Sequence, residues 1–586
     1  MVCHILKRVT LLAIILLLFN SCATAPPKAP LHPEKGDYGF VKEYMSWFIQ
    51  KEMKEQHIVG LSIALVDDQK IVWQQGFGYA DRKNKIKAAP DTVYRAGSIS
   101  KLFNGMAVMK LVESGKMDID HPLVTYLPQF KIKSRFGHTD GITPRTILTH
   151  HSGLPSDWID GMWSKQPAPF TRLVHEIKDE YVAYPPNTVM SYSNLGMTLL
   201  GHAVQNVSRM TYAQFLDQSL LGPMGMADSR FETSISGSRT AKSYQAGKEV
   251  YEYPLRDIPA GGLNTTATDL ARLAMMVNNG GKFQNRQILS TETLAAMLTI
   301  QNTQIPLDLL NFIGLAWFID DKVLAQKELV YAHGGGTIAH RTMFMVAPGS
   351  KLGAVVLANT NSANPGKTAK KLLQMAWEAK NGEKLPAVKP NVATPSDFKG
   401  TYATMIGKVN VTEKSPHHYK IKSSMGNFKL CREADNQYHL SYRLLGLIPI
   451  DLEELGEAGL TTEDISGHHV IVAELDHKRF LAGVKVKPQP IHDAWKNRLG
   501  QYKLLNPPEP EMFQIQGMEL KIEDGYLLEV ITFSGDTFSK ILRCVNAQEA
   551  IGEGFGRSLG ETLRIMEDND GGEILTYSGL RFKRID

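Results

Sequence analysis

Two periodicities of apolar residues alternate along the first two thirds of the chain. Apolar positions recur with a helical period over residues 40–56 and 102–114, and the second segment is followed by a glycine. Short apolar runs separated by polar turn residues predict hairpins over 61–73 and 342–357. Because strands lie at both ends with helices between them, the pattern predicts one α/β (α+β) unit over residues 37–383.

The character of the chain changes after residue 383. A proline-containing stretch over 384–397 has the composition of a linker, and short alternating strands with turns follow it. The sequence Phe398-Lys399-Gly400-Thr401-Tyr402 recurs in weakened form 100 residues later, as Leu499-Gly500-Gln501-Tyr502. We therefore expect an all-β C-terminal region, made of two related modules over 398–488 and 489–586 or of one barrel in two halves.

The first 36 residues have the pattern of an export signal followed by a tether. Two basic residues precede an apolar run over 11–19, whereas a membrane-spanning helix needs about 20 apolar residues. Ser21 and Cys22 resemble a bacterial lipoprotein box, which implies a signal peptide over 1–21 and a lipidated Cys22. Residues 22–36 would then hold the protein off the membrane. We expect an exported cell-envelope protein with an N-terminal lipid anchor in the membrane; an ordinary cleaved signal or an uncleaved anchor are the alternatives.

Composition and charge narrow the function classes. The 586 residues carry 65 lysines and arginines against 60 aspartates and glutamates, and this net charge of +5 is too thinly spread to predict nucleic-acid binding. No CxxC pair occurs among the four cysteines, and the sequence leaves open whether Cys431 and Cys544 pair. Three pairs of adjacent histidines occur, at 150–151, 417–418 and 468–469, and they lack the i, i+4 spacing of helical zinc ligands. We predict no metal, no cofactor and no nucleic-acid partner, and the oligomeric state stays open.

Ser98 and Lys101 form the strongest chemical signal. A serine hydroxyl is a poor nucleophile until a neighbouring base takes its proton, and a spacing of three residues at the start of a helix places the lysine within reach. The helix N-terminus supplies a backbone N–H where an oxyanion would form, and it disfavours a charged ammonium. Taken alone, the pair would be interpreted as a serine that caps the helix and a solvated lysine, because S-x-x-K occurs by chance in most chains of this length. Tyr192 with Asn194, and His333 followed by three glycines, make the combination specific.

These motifs resemble the serine β-lactamase and penicillin-binding-protein superfamily, in its class C and family VIII esterase branch. The resemblance covers residues 37 to about 380 and rests on Tyr94-Arg95-Ala96-Gly97-Ser98-Ile99-Ser100-Lys101, Tyr192-Ser193-Asn194 and Leu148-Thr149-His150-His151-Ser152-Gly153-Leu154-Pro155. It implies a β-lactamase/DD-peptidase-like fold for the catalytic domain. The C-terminal modules resemble, at the level of fold, the lipocalin-like domains that follow such catalytic domains in D-aminopeptidase relatives.

The resemblance also implies a role for each site residue. Ser98 would be the acylated nucleophile, Lys101 its activating partner, and Tyr192 the general acid/base for the leaving group and the deacylating water. The backbone N–H groups of Ser98 and Gly336 would form the oxyanion hole. The residues implied to bind substrate are Asn194, His333, Gly335 and Gly336.

His333 departs from the class C pattern, which carries lysine at this position. Lysine offers a permanent charge to a substrate carboxylate, whereas neutral histidine offers only a hydrogen bond near pH 7. The sequence therefore favours an exported serine hydrolase that cleaves amide or ester bonds through an acyl-enzyme on Ser98, acting as a peptidase or esterase on small peptides or D-amino-acid compounds. A penicillin-binding or β-lactam-hydrolysing protein and a non-catalytic cell-wall sensor lipoprotein are the alternatives.

The order of residues argues against a lipase-like α/β-hydrolase. His333-Gly334-Gly335-Gly336 matches the oxyanion motif of that class, and Gly556-Arg557-Ser558-Leu559-Gly560 fits its G-x-S-x-G elbow. That fold needs a histidine after the serine, but the last histidine of the chain is His492. Ser558 therefore cannot complete a triad in the usual order.

Overall fold

The computed structural model of the protein describes residues 25–30, 34–386, 397–432, 438–444, 448–450, 459–475, 478–510, 515–533, 536–568 and 570–585. The predicted signal peptide, Cys22 and most of the predicted linker lie outside these ranges. Within them, no helix is long and apolar enough to cross a membrane. The same part of the chain contains no group of three or more side chains that could hold a metal ion.

The N-terminal unit combines helices with short and long strands. Its helices are α1 Gly39–Glu55, α2 Ser100–Glu113, α3 Pro144–Leu148, α4 Leu173–Glu176, α5 Asn194–Ser208, α6 Tyr212–Leu216, α7 Ile258–Gly261, α8 Ala267–Asn278, α9 Thr291–Leu298 and α10 Pro365–Asn381. Its strands are β1 Gly60–Asp67, β2 Lys70–Asp81, β3 Ile86–Lys87, β4 Tyr94–Gly97, β5 Arg230–Phe231, β6 Ser243–Gln245, β7 Lys248–Val250, β8 Leu263–Thr265, β9 Lys282–Phe283, β10 Arg286–Gln287, β11 Phe312–Ile313, β12 Phe318–Asp320, β13 Val330–Gly336, β14 Arg341–Ala347 and β15 Leu352–Ala358.

An eight-stranded antiparallel sheet forms the centre of this unit, in the order β11-β12-β13-β14-β15-β1-β2-β3. The two predicted hairpins are β1–β2 and β14–β15, and β1 pairs with β15, so the ends of the unit meet in the middle of the sheet. Successive side chains of a strand point to opposite faces. Leu61, Ile63 and Leu65 therefore pack in the core beneath α1 and α10, whereas Ala64 and Val66 pack in the core that contains α2, α5 and α8. Burial of both faces explains why β1 is apolar without alternation.

The described part of the C-terminal region is β-structure with one short helix, α11 Asp493–Lys496. Its strands are β16 Gly400–Thr404, β17 Gly407–Ser415, β18 His418–Ser423, β19 Gly426–Arg432, β20 Tyr438–Leu444, β21 Ile448–Ile450, β22 Gly459–Ile465, β23 His468–Leu475, β24 Lys478–Val486, β25 Gly500–Leu504, β26 Ile515–Glu523, β27 Tyr526–Phe533, β28 Asp536–Cys544, β29 Glu549–Gly552, β30 Thr562–Glu567, β31 Glu573–Tyr577 and β32 Leu580–Ile585. Cys431 and Cys544, whose pairing the sequence left open, are both free thiols.

These strands close on themselves twice. β16 pairs with β24, which closes a first ring of strands. Within this ring, β20 pairs directly with β22. β25 pairs with β32, which closes an eight-stranded second ring. The recurring tyrosines, Tyr402 and Tyr502, lie in the apolar cores of the first and second rings. The expected order of an α/β unit followed by an all-β, lipocalin-like region is confirmed.

The second ring is fastened to the N-terminal unit by buried polar contacts. Glu561 of the second ring accepts a hydrogen bond from the Ser156 backbone N–H of the N-terminal unit at 2.9 Å. Its carboxylate also accepts from the Ser578 hydroxyl of its own ring at 2.8 Å. Arg564 forms an ion pair with Glu180, and both side chains are about nine-tenths buried. Breaking a buried ion pair by removing one partner typically costs about 3–5 kcal/mol. These contacts hold the loop between β29 and β30 against Ser156 and the start of β30 against Glu180.

Candidate active site

Ser98 lies in the tight turn that joins β4 to α2. The turn passes through Gly97 at φ +54°, a conformation that favours glycine. Ser100 stabilises the turn because its hydroxyl donates to the Gly97 carbonyl at 2.6 Å and accepts from the Leu263 N–H at 2.9 Å. The turn therefore presents Ser98 at the N-terminal end of α2, as the sequence predicts, although the regular helix begins two residues after the serine.

Lys101 is fully buried and its amine is held by three oxygens. Nζ lies 2.7 Å from Asn194 Oδ1, 2.7 Å from the Ala260 carbonyl oxygen and 3.1 Å from Ser98 Oγ. The first two partners can only accept hydrogen bonds. A neutral amine has two hydrogens for them and a lone pair left for the Ser98 hydroxyl. Burial, together with the Arg557 guanidinium nearby, holds the pKa of Lys101 well below its ordinary value of 10.5, which favours this neutral form.

Tyr192 contacts both members of this pair. Its hydroxyl is hydrogen-bonded to Ser98, and Lys101 Nζ lies 4.8 Å from the centroid of its ring. Burial raises the pKa of the Tyr192 phenol above its ordinary value of 10.0, so the phenol keeps its proton at neutral pH. The two side chains can therefore act differently: Lys101 can accept a proton, and Tyr192 can donate one.

Asn194 begins helix α5 and connects Lys101 to a carboxylate. Its Oδ1 accepts from Lys101, and its Nδ2 donates to Asp157 Oδ1 at 2.7 Å. Ser193 caps the helix by accepting from the Gly196 N–H at 2.8 Å, which fixes the backbone that carries Asn194. Since an amide nitrogen has two hydrogens, one remains available for a substrate carbonyl.

His333 lies on β13 as an uncharged hydrogen-bond acceptor. Its Nδ1 is 2.6 Å from the Gly334 carbonyl oxygen, which cannot donate, so Nδ1 carries the proton and Nε2 carries the lone pair. Nε2 is buried and has no partner among the described residues. Burial and the neighbouring Lys101 lower the pKa of His333 from 6.5 to about 3. His333 therefore offers an acceptor rather than a positive charge.

The glycines of β13 allow two backbones to touch. A Cβ on Gly335 would overlap the Ala96 carbonyl oxygen, and a Cβ on Gly97 would lie 2.8 Å from the Gly336 nitrogen. The Thr342 hydroxyl donates to the same Ala96 carbonyl at 2.8 Å and holds the sheet against β4. The backbone of Gly336 is thereby placed beside the Ser98 turn, where the predicted oxyanion hole requires it.

Replacing Gly335 by alanine is expected to reduce acylation of Ser98 by at least 100-fold, because strand β13 must move away from the turn to relieve the clash with backbone atoms. Gly334→Ala is the matched control, since the nearest atom to its Cβ would be the flexible end of Met343 at 3.2 Å, and the nearest backbone atom would be at 3.7 Å. The rate of labelling by a fluorophosphonate measures both. Equal rates for the two variants would show that the close approach of the strands is not required.

These groups line one cavity of about 870 Å³ that extends into the C-terminal region. The α/β unit contributes Ser98, Tyr192, Asn194, His333 and the glycines that follow it. The C-terminal region contributes Met405, Pro508, Ile515 and Arg557. The structure thus brings together all the residues that the sequence analysis assigned to the site, apart from Cys22, which lies outside the described residues.

Asp157 and Arg557 are the site residues that sequence reasoning did not assign. Arg557 Nη2 donates to Asp157 Oδ2 at 2.7 Å, and its Cζ lies 5.4 Å from the centroid of the Tyr192 ring. Asp157 follows the family-like segment ending at Pro155, which was a usable signal. In the sequence, Arg557 is part of the G-x-S-x-G match, which cannot complete a lipase-like triad. No pattern in the sequence connects Arg557 with Ser98.

Comparison with known proteins relates the chain to one family. A family model described as Beta-lactamase matches residues 46–376. The chain is similar to Protein flp of Staphylococcus aureus (strain NCTC 8325 / PS 47), with 28% identity over 330 residues, which is 55% of this chain and 64% of the relative. The chain therefore spans less than two thirds of the length of that relative. It is also similar to Putative beta-lactamase-like 1 of Homo sapiens, with 25% identity over 384 residues, 63% of this chain and 73% of the relative.

Two solved structures are similar in fold to more of this chain than the α/β unit alone. The octameric penicillin-binding protein homologue from Pyrococcus abyssi matches with a TM-score of 0.51 and 21% identity, covering 85% of this chain and 99% of that chain. SurE with D-Leu matches with a TM-score of 0.56 and 21% identity, covering 76% of this chain and 100% of that chain. Because the family model covers more than half of the 586 residues, the chain belongs to the beta-lactamase family, within the superfamily of serine β-lactamases and penicillin-binding proteins, whose members are generally serine hydrolases.

Proposed function

We propose that this protein is an exported, lipid-anchored peptidase or esterase that hydrolyses small amide or ester compounds, including D-amino-acid compounds, through an acyl-enzyme on Ser98. The observation that carries the proposal is the position of Lys101 Nζ between two obligate acceptors and Ser98 Oγ. Together with the burial that lowers the pKa of Lys101, this geometry gives the serine a neighbouring base. A serine and lysine that served only structural roles would not need it.

Acylation uses the three side chains in sequence. Lys101 takes the hydroxyl proton as Ser98 Oγ attacks the carbonyl carbon, and the resulting oxyanion accepts hydrogen bonds from the N–H groups of Ser98 and Gly336. The Tyr192 phenol gives its proton to the leaving nitrogen or oxygen as that bond breaks. The ammonium of Lys101 then returns a proton to Tyr192, which restores both groups.

Deacylation repeats these steps with water in place of the leaving group. A proton of the water passes to the base as its oxygen attacks the ester carbonyl of acylated Ser98, and the second tetrahedral intermediate uses the same oxyanion hole. Ser98 Oγ leaves and recovers its proton. The products are the carboxylic acid and the unchanged enzyme.

Because His333 is neutral, strand β13 itself supplies no charge for a β-lactam carboxylate, and this supports a peptidase or esterase over a β-lactamase of the class C kind. The class C pattern has a lysine here, and a permanent charge would attract the carboxylate of a β-lactam. The His333 ring instead presents Nε2 as an acceptor, which suits an N–H or O–H donor of a small substrate. Export and anchoring are supported by the apolar run over 11–19 and by Cys22.

The proposal is tested by intact mass spectrometry of the purified full-length protein after exposure to a fluorophosphonate and, separately, to a penicillin. Hydrolysis of p-nitrophenyl butyrate and of D-alanine p-nitroanilide is measured in parallel. We expect one fluorophosphonate adduct, turnover of at least one of the two chromogenic substrates, and no lasting penicilloyl adduct. A persistent penicilloyl adduct without turnover would instead identify a penicillin-binding protein or sensor, and the absence of every adduct would rule out the serine hydrolase.

A further inference from the structure

The cavity around Ser98 contains a cation that does not come from the α/β unit. The strand that carries lysine in the class C pattern carries His333 here, and His333 is a neutral acceptor. Lys101 is buried and occupied by its three oxygen partners. Arg557, on the loop between β29 and β30 of the second ring, lines the cavity with 43% of its side chain exposed.

The hydrogen bonds around Arg557 leave donors available for a ligand. Asp157 accepts one hydrogen bond on each oxygen, from Asn194 on Oδ1 and from Arg557 on Oδ2, and only 16% of its side chain is exposed. Within the described ranges, Arg557 makes this one hydrogen bond, although a guanidinium has five N–H groups. The cation is therefore the more accessible member of the pair and has more unused hydrogen-bonding groups than the carboxylate. A guanidinium with free N–H groups matches a carboxylate in geometry and charge.

The loop that carries Arg557 is held in place by the α/β unit. The Ser558 N–H donates to Ser156 Oγ at 2.8 Å. The carbonyl oxygen of Gly556 accepts from the Tyr184 hydroxyl at 3.2 Å and from the Ser191 hydroxyl at 3.3 Å. Residues on both sides of Arg557 are thus anchored next to Tyr192, so the guanidinium is positioned before any substrate arrives.

We propose that Arg557 binds a carboxylate of the substrate, so that the preferred substrates are amides or esters that carry a free carboxylate near the scissile bond. The second ring of the C-terminal region then supplies a specificity-determining residue to the active site of the α/β unit. This inference rests on the proposed hydrolase function and narrows its substrate class. Asp157 acts as the positioning residue, because it accepts hydrogen bonds from both Arg557 and Asn194.

The experiment compares matched ester pairs that differ by one carboxylate. Mono-p-nitrophenyl glutarate against p-nitrophenyl butyrate places the charge on the acyl side, and 3-carboxyphenyl acetate against phenyl acetate places it on the leaving-group side. The parent, Arg557→Gln and Arg557→Lys are compared with Arg543→Gln. Arg543 is a matched control because it pairs with Glu553 of the same loop at 2.8 Å, is similarly exposed at 46%, and does not line the cavity.

For the charged member of at least one pair, we expect Arg557→Gln to lower kcat/KM by roughly 10- to 100-fold, mainly through KM, as expected for the loss of a charge-assisted hydrogen bond. The loss for the neutral member should be several-fold smaller. Arg557→Lys should restore part of the selectivity, and Arg543→Gln should behave as the parent.

Equal losses for charged and neutral members would overturn the inference, since they would show that Arg557 only fastens the loop to Asp157. A parent that prefers the neutral member of both pairs would overturn it as well. The proposed hydrolase function is judged separately by fluorophosphonate labelling of the parent. Labelling with turnover but no carboxylate preference would refute the inference alone, whereas no labelling would refute the hydrolase function.

Discussion

Replacement of Ser98 by alanine is expected to abolish covalent labelling and hydrolysis, so that the intact mass spectrum shows no fluorophosphonate adduct. The reason is that Ser98 Oγ, the proposed nucleophile, lies 3.1 Å from Lys101 Nζ, and alanine has no oxygen to acylate. Ser98 is part-buried in a turn held by Ser100, so the smaller side chain should leave the fold unchanged. Circular dichroism and the thermal midpoint of unfolding verify that the variant is folded.

Ser558→Ala provides the control for this prediction. Ser558 is the serine of the G-x-S-x-G match and directly follows Arg557 on the same loop, with φ +62°. Its backbone N–H, and not its hydroxyl, makes the contact with Ser156. The fluorophosphonate adduct should therefore persist in Ser558→Ala. An adduct that survives in Ser98→Ala and disappears in Ser558→Ala would reverse the assignment of the nucleophile.

Replacement of Lys101 by methionine is expected to slow acylation by about 10²–10⁴-fold, the range typical of losing a general base. Methionine fills the buried volume but cannot accept the Ser98 proton, and it leaves Asn194 Oδ1 without its donor. Lys110→Met is the control, because Lys110 lies on the same helix and pairs with Glu113 at the surface. The measurement is the second-order rate constant for labelling. A similar loss in both variants would point to damage of the helix rather than loss of the base.

The pH dependence of labelling gives an independent check on Lys101. The active form is the neutral amine, so the rate should rise as pH increases through the lowered pKa of Lys101 and level off at a pH below 10.5. Tyr192 must stay protonated, and its raised pKa places the loss of activity above pH 10. With a pKa of about 3, His333 contributes no inflection between pH 5 and 9. In Lys101→Met, the rising limb should disappear.

Local patterns in the sequence were sufficient to place the elements that carry the chemistry. The helical period over 102–114 corresponds to α2, Ser100–Glu113, and the hairpin over 342–357 corresponds to β14 and β15. A helix start, a glycine turn and alternating apolar residues are short-range features, because each depends on neighbours within a few residues. The family motifs then indicated which side chains belong together, although they did not show their hydrogen bonds.

Protonation states required the tertiary structure. The sequence offered Lys101 as a base and His333 as a hydrogen-bonding group, but their pKa values depend on burial and on charges from distant segments. The tautomer of His333 follows from a single contact with the Gly334 carbonyl. Likewise, no local pattern predicts that β16 pairs with β24 or that β25 pairs with β32, because these pairings join strands far apart in the chain.

The sequence by itself determined the order of the two regions, the proposed catalytic motif and the histidine in place of a lysine at position 333, since each of these depends on residue type and local spacing. Only the tertiary structure decided which residues complete the cavity. Arg557 and Asp157 are separated by 400 residues, yet they lie 2.7 Å apart beside Tyr192. No periodicity connects positions so distant, because their meeting depends on how a folded barrel packs against a folded α/β unit.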